Sequence, residues 1–163
     1  MPPRVSAGLL MYRVQNGTLQ VFLAHPGGPL YARKDEGHWS IPKGEPPEGE
    51  ALIDAATREF EEETGLKPHG PYIELGSIRQ KGGKIVHAWA FEGDCDDSQQ
   101  ICSNTFEMEW PPRSGRTQSF PEVDRAQFFP LPEAKQKIRD SQWPLIERLA
   151  AILESSEKNN GQT

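Results

Sequence analysis

Apolar and polar positions near the start of the chain form two runs, Val5 to Val14 and Leu19 to His25, parted by Gln15-Asn16-Gly17-Thr18. Asn-Gly between apolar runs is a hairpin signal, so the two runs are predicted to pair antiparallel. Tyr72 to Arg79 and Ile85 to Phe91 flank Gly82-Gly83 as a second hairpin, and Gln127 to Leu131 makes a short late strand. Between the hairpins the period changes. At about 100° per residue, Leu52, Ala55 and Ala56 share one side of a helix, and Glu59 and Glu63 continue the same stripe. Pro132 to Ile138 and Trp143 to Leu153 also read as helices, the second burying Leu145, Leu149, Ile152 and Leu153. The polar stretch 155–163 is expected to be a disordered, frayed tail. This order gives an α+β or α/β protein with a mixed sheet and no internal repeat.

The middle helix ends in an unusual way. Arg58-Glu59-Phe60-Glu61-Glu62-Glu63-Thr64-Gly65-Leu66 puts four glutamates in and around the last turn, before a glycine that reads as the C′ stop. Helix C-termini favour cations, and Glu59 and Glu63 are a like-charge i,i+4 pair costing about 0.2–0.5 kcal/mol in an isolated helix. A hard divalent cation would turn this repulsion into attraction. Taken alone, a glutamate-rich helix is as readily a solvated face. The stripe, however, runs from apolar to acidic, which places the carboxylates where a buried face emerges into a cleft. The preceding loop, Trp39-Ser40-Ile41-Pro42-Lys43-Gly44-Glu45-Pro46-Pro47-Glu48-Gly49-Glu50, carries acids that favour a helix start near Glu48 to Ala51.

The run from Gly44 through Glu50, Arg58, Glu59, Glu62 and Glu63 to Gly65 and Leu66 resembles the Nudix box at every fixed position, with Phe60 bulkier than the usual aliphatic. The resemblance implies an α/β/α sandwich around a mixed central sheet. It also implies hydrolysis of a nucleoside diphosphate linked to another moiety, with Mg²⁺ or Mn²⁺ held on the box. Mg²⁺ takes oxygen ligands and is commonly shared between carboxylates and substrate phosphates, which agrees with that chemistry. Carried over, Glu59, Glu62 and Glu63 are metal ligands, with Glu59 or Glu63 orienting or deprotonating water. Arg58 and Glu50 form an orienting pair behind them. Gly44 can lend its carbonyl to the metal, since a residue without Cβ allows close approach. Family members often add a carboxylate before a late strand, and Glu122 in Ser119-Phe120-Pro121-Glu122-Val123-Asp124 fits. Glu107 and Glu109 compete, but alternate with Phe106, Met108 and Trp110 like the outer face of a strand.

Candidate substrate contacts are Lys43, Arg33, and Tyr31 or Trp39 as a platform for a base; each has the plainer reading of a surface charge or a packed ring. Trp110 to Pro121, rich in Pro, Gly and polar residues, is a candidate lid. Gly8-Leu9-Leu10-Met11-Tyr12, Trp39 to Gly44 and Phe128-Phe129-Pro130-Leu131 resemble the branch that hydrolyses dinucleoside polyphosphates and NTPs. Diphosphoinositol and nucleotide-sugar hydrolases, and a non-catalytic ligand-binding module, share the box.

Length and charge bound the rest. The chain has 163 residues, 35% hydrophobic and 26% charged, with a mean hydropathy of −0.69, which suits one domain over residues 1–154. A net charge of −6 argues against long nucleic acid, whose binding needs a basic surface, and leaves a small phosphate-rich nucleotide as the expected partner. Cys95 and Cys102 match no zinc spacing, and no apolar stretch approaches about 18 residues. No membrane association and a cytoplasmic location are therefore expected. An acidic helix that recruits a basic partner is the remaining non-enzymatic reading. Gly-x-Ser-x-Gly and Gly-Lys-Ser/Thr motifs are absent.

Overall fold

A computed structural model describes residues 4–96 and 101–160. Strand β1 (Val5–Gln15) turns at Asn16-Gly17 into β2 (Thr18–Pro26), as the apolar runs predict. The two strands are laddered only over Tyr12 to Gln15 and Thr18 to Val21. Beyond that ladder the chain segment 40–44 occupies the edges they leave open. Ser40 bridges Ala24, the Leu9 N–H donates to the Pro42 carbonyl, and the two-residue strand β3 (Lys43–Gly44) pairs with Ala7 and Gly8 of β1.

Helix α1 (Leu52–Thr64) then crosses one face and returns the chain to the second hairpin, β4 (Ile73–Arg79) and β5 (Ile85–Glu92). Because of that crossover, β5 runs parallel to β1 along Val5 to Tyr12, and this pairing joins the two hairpins into one sheet. After β6 (Thr105–Glu109) and β7 (Thr117–Pro121), β8 (Val123–Pro130) closes the far edge against β2, giving the order β4-β5-β1-β2-β8 with β3 on β1.

Both faces of β1 are covered, so its residues sort by parity. Leu10 and Tyr12 point into one core with Val21, Leu23, Ile138, Leu145 and Leu149. Ala7, Leu9 and Met11 point into the other with Ala55, Ala56, Phe60 and Phe91. The first core lies under α2 (Leu131–Lys137) and α3 (Trp143–Asn160), which a 3₁₀ turn at Asp140–Gln142 connects; the second lies under α1. This is the expected three-layer sandwich.

Several elements differ from expectation. Helix α1 starts at Leu52 without a side-chain cap. Strand β8 begins four residues early, at Val123, because pairing with β2 carries the polar segment Asp124-Arg125 into the sheet. The candidate lid Trp110 to Pro121 is not a loop throughout: its end, Thr117–Pro121, is a strand paired with the alternating segment Thr105–Glu109; Phe106 packs against Phe120 and over Gly28. Helix α3 continues to Asn160, so residues 155–160 of the expected tail are helical, in keeping with glutamate and lysine as good helix formers; 161–163 lie outside the described residues. On α3 the buried face is centred between Leu145 and Ile146, which leaves Ile152 at its margin and 37% exposed. Among the described residues, no helix is long and apolar enough to cross a membrane.

Candidate active site

The acidic end of α1 is built against β3. Ala55, Ala56, Phe60 and Thr64 anchor the helix on the sheet, and this rotation turns Glu59 and Glu63 toward Lys43 and Gly44. A Cβ at position 44 would overlap the Glu59 carboxylate. Glycine is therefore required there by space, and Glu59 lies directly on the β3 backbone. Gly65 ends the helix at φ 77°, its N–H donating to the Glu61 carbonyl. The neighbouring carbonyls of Glu62 and Thr64 accept from the Asn104 and Cys102 N–H groups. A helix end that would otherwise expose carbonyls is thus held by the segment leading to β6.

Glu63 is the most perturbed group. Burial, then the charges of Glu59 and Glu122, push its carboxyl from 4.5 to about 9, against the opposing pull of Lys43, whose backbone N–H donates to it. Its Oε2 is buried with no hydrogen-bond partner among the described residues. Glu122, immediately before β8, is also raised, by burial and by Glu59. Its backbone is pinned on both sides: its carbonyl accepts from Gly27 and its N–H donates to the Asn104 carbonyl. Close by, the buried His25 ring lies 2.7 Å from Asp124 Oδ1 and 2.6 Å from the Lys34 carbonyl, tying the 27–38 loop to β8.

Arg58 stands behind this cluster. Its Nε and Nη2 donate to both oxygens of Glu50 at 3.0 and 2.8 Å, a bidentate pair, while Nη1 donates to Glu59 Oε1 at 3.0 Å and Glu62 Oε2 at 3.1 Å. The Glu50 carboxyl is held below its usual range by Arg58. One guanidinium therefore aims two box carboxylates, as an orienting pair should.

Glu63 and Glu122 line a cleft of about 360 Å³ whose other wall carries His38, Lys43, Lys84 and Arg139. Lys43 is lowered to about 8, first by burial and then by Lys84 and Arg139. The cleft sets buried carboxylates beside a cluster of cations, of which Lys84 is paired with Glu45 at 3.6 Å, and this mixture suits a cation and a polyanion bound together.

Most sequence-derived residues converge here: Lys43, Glu63 and Glu122 line the cleft, Gly44 and Glu59 adjoin them, and Glu50, Arg58 and Glu62 stand behind. Glu62 faces outward toward Arg58, along a groove shared with Thr57, Lys67 and Tyr72. Trp39 is not available to a base. It is 2% exposed, its ring packs on His25 and Phe129, and its indole N–H donates to Asp35 at 2.7 Å. Tyr31 does not line the cleft; its ring centroid lies 6.4 Å from that of His38, which does. Arg33 is exposed and does not line the cleft. Sequence reasoning missed His38 and Arg139, which stand singly between elements with no motif around them. It also missed Gln142, buried beneath the cleft, which donates to Ser40 and Gln80 and accepts the Ile41 N–H.

Among the described residues, no three His, Cys, Asp or Glu side chains are gathered as a ready ligand set. Their chemistry nevertheless fits a hard divalent cation. The donors are carboxylate oxygens, one buried oxygen is orphaned, and the close approach of Glu59 to Gly44 keeps a backbone carbonyl near the acids.

The NUDIX domain profile matches residues 2–149. Among solved structures, an Ap4A hydrolase from C. elegans in a binary complex shares 24% identity and a TM-score of 0.64, over 93% of this chain and 98% of that one. The NUDIX domain of Shewanella oneidensis NrtR complexed with ADP ribose shares 16% identity and a TM-score of 0.67, over 94% and 90%. A mutT/nudix family protein from Listeria innocua shares 21% identity and a TM-score of 0.62, over 95% and 97%. These likenesses are likenesses of fold. No curated protein matches the chain. With an unbroken box and a profile match along nearly its whole length, the chain belongs to the Nudix family and is a pyrophosphohydrolase of that family.

Proposed function

We propose that the protein hydrolyses a pyrophosphate bond in a dinucleoside polyphosphate or an NTP, dependent on Mg²⁺ and served also by Mn²⁺. The catalytic unit is residues 1–154, and the setting is the cytoplasm. The observation that carries this reading is the Glu63 carboxyl, one of whose oxygens is buried and without a partner among the described residues, in the cleft it lines with Lys43 and Lys84. Glu59, Glu62 and Glu63 hold the cation with help from Gly44 and Glu122, and Arg58 with Glu50 aims the ligands. A bound cation offsets the charge of the pyrophosphate oxygens and lowers the pKa of water at the reacting phosphorus. Lys43 and Lys84 bind and orient the phosphates, while Glu59 or Glu63 takes the proton from the attacking water.

The neighbours support a nucleotide substrate, one being an Ap4A hydrolase and another binding ADP ribose. A nucleotide sugar or a diphosphoinositol remains a candidate on the box alone. The reading is tested by a hydrolysis panel of dinucleoside polyphosphates, NTPs, nucleotide sugars and diphosphoinositols with Mg²⁺ or Mn²⁺. Metal-dependent cleavage of one of the first two classes is expected; turnover confined to the others moves the assignment to them.

A further inference from the structure

The cleft does not end at its basic wall. Past Arg139 it continues into a second recess of about 270 Å³, lined by Gly37, Gln80, Lys81, Arg139, Asp140 and Ser141. Gln80 and Arg139 line both cavities and so mark the junction between them. Arg139 is held there by its backbone: its N–H donates to the Trp39 carbonyl at 2.9 Å, its carbonyl accepts from Gln142, and the preceding Ile138 bridges Trp39. Its guanidinium, half-buried, makes no ion pair or hydrogen bond among the described residues. Gln80 is fixed too. Its Oε1 accepts from the buried Gln142 at 3.0 Å, which leaves its amide donors without a partner among the described residues. A half-buried arginine and an oriented amide, both with unused donors, stand at a passage between two cavities. The recess beyond them carries one further cation, Lys81, one exposed carboxylate, Asp140, and no aromatic ring, so its cations outnumber its acid. This chemistry suits a phosphoryl group, with planar forked recognition by arginine, and not a nucleobase.

Building on the function proposed above, we infer that Arg139 and Gln80 bind a distal phosphoryl group of the substrate, so that the junction selects polyphosphate chains long enough to reach from the carboxylate wall into the second recess. Arg139 is then a specificity residue. It adds affinity for the far end of the chain while the reacting phosphorus stays at the α1 carboxylates. A short substrate leaves its donors without an anion, and a longer one engages them.

The test compares wild type, Arg139→Gln, Arg139→Lys and Ser141→Glu. Among the described residues Arg139 makes its hydrogen bonds through its backbone, and glutamine there keeps them. Ser141→Glu places a negative charge at the recess without touching Arg139, and serves if Arg139→Gln fails to fold. The first readout is calorimetric binding of inorganic tripolyphosphate in EDTA, which needs no catalysis. Arg139→Gln and Ser141→Glu should each weaken it about tenfold, the scale of one lost charge-assisted hydrogen bond, with Arg139→Lys in between. The second is the ratio of kcat/KM for adenosine tetraphosphate to that for ATP with Mg²⁺, which should fall about tenfold in the same two variants, mainly through KM. Unchanged tripolyphosphate affinity together with an unchanged ratio overturns the inference. Absence of metal-dependent turnover on every nucleotide would instead overturn the proposed function, and the EDTA binding measurement would still decide the role of Arg139.

Discussion

Replacing Glu63 with glutamine should make the metal-free protein more stable while destroying its activity. In the folded chain the Glu63 carboxyl keeps its proton up to about pH 9, whereas its ordinary value is 4.5. Between those values the folded state binds a proton that the unfolded state has released, so stability falls as pH climbs from 4.5 toward 9. At pH 7.5 the part of the shift already crossed, from 4.5 to 7.5, corresponds to about 4 kcal/mol against folding, at about 1.36 kcal/mol per pKa unit. Glutamine has nearly the shape of the neutral carboxyl and removes this cost. The expected gain is about 2–4 kcal/mol at pH 7.5, a rise in Tm of roughly 4–16 °C for a chain of this size. At pH 5 the difference should shrink below about 1 kcal/mol, because pH 5 lies only about half a unit above the unfolded value and the folded state stays protonated. Thermal melts by circular dichroism in EDTA, from pH 5 to 8.5, measure this directly. Added Mg²⁺ should raise the wild-type Tm, by about 2.7 kcal/mol of stability at a hundredfold excess over Kd, and raise that of Glu63→Gln much less. A glutamine variant less stable than wild type at pH 7.5, or a difference that does not vary with pH, would refute the strained-carboxylate account.

Further outcomes follow from individual contacts. Gly44→Ala should cost about 1–3 kcal/mol in denaturant unfolding, since its Cβ overlaps the Glu59 carboxylate, and should lower kcat with it. Arg58→Ala leaves Glu50, Glu59 and Glu62 without their shared donor; Mn²⁺ affinity or activity should fall about 10–100-fold, and an unaffected enzyme would show that the aiming role is wrong. Glu122→Gln should weaken metal-dependent turnover more than Glu107→Gln, because Glu122 lines the cleft and Glu107 sits exposed on β6; the reverse order would move the extra carboxylate to the hairpin.

The box was legible because its chemistry depends on spacing along one helix. Gly44, Glu59 and Glu63 are brought together by the same loop and turn that the sequence spells out. Glu122 was legible for a similar reason, being an acid placed just before an apolar strand. The parallel pairing of β1 with β5 was not, since it is set by where α1 returns the chain and leaves no local pattern. Strand β7 escaped notice because Thr117-Gln118-Ser119-Phe120-Pro121 has one apolar position and pairs with β6 away from any core. Trp39 looked like a surface platform, but the loop that carries it is drawn into the sheet by the Ala24–Ser40 bridge, and Asp35 satisfies its polar edge. Arg139 and Gln142 lie between helices, where only the closure of α2 and α3 over the sheet reveals what they face.

The central claim is that the carboxylates of α1 hold a divalent cation that makes a pyrophosphate bond hydrolysable. It is tested most directly by following nucleotide cleavage with ³¹P NMR while Mg²⁺ is titrated into EDTA-treated wild type and Glu62→Gln. The account predicts no cleavage in EDTA, cleavage that saturates with Mg²⁺ in wild type, and a rate lower by orders of magnitude in the variant. Cleavage that persists without a divalent cation, or equal rates in the two proteins, would contradict it.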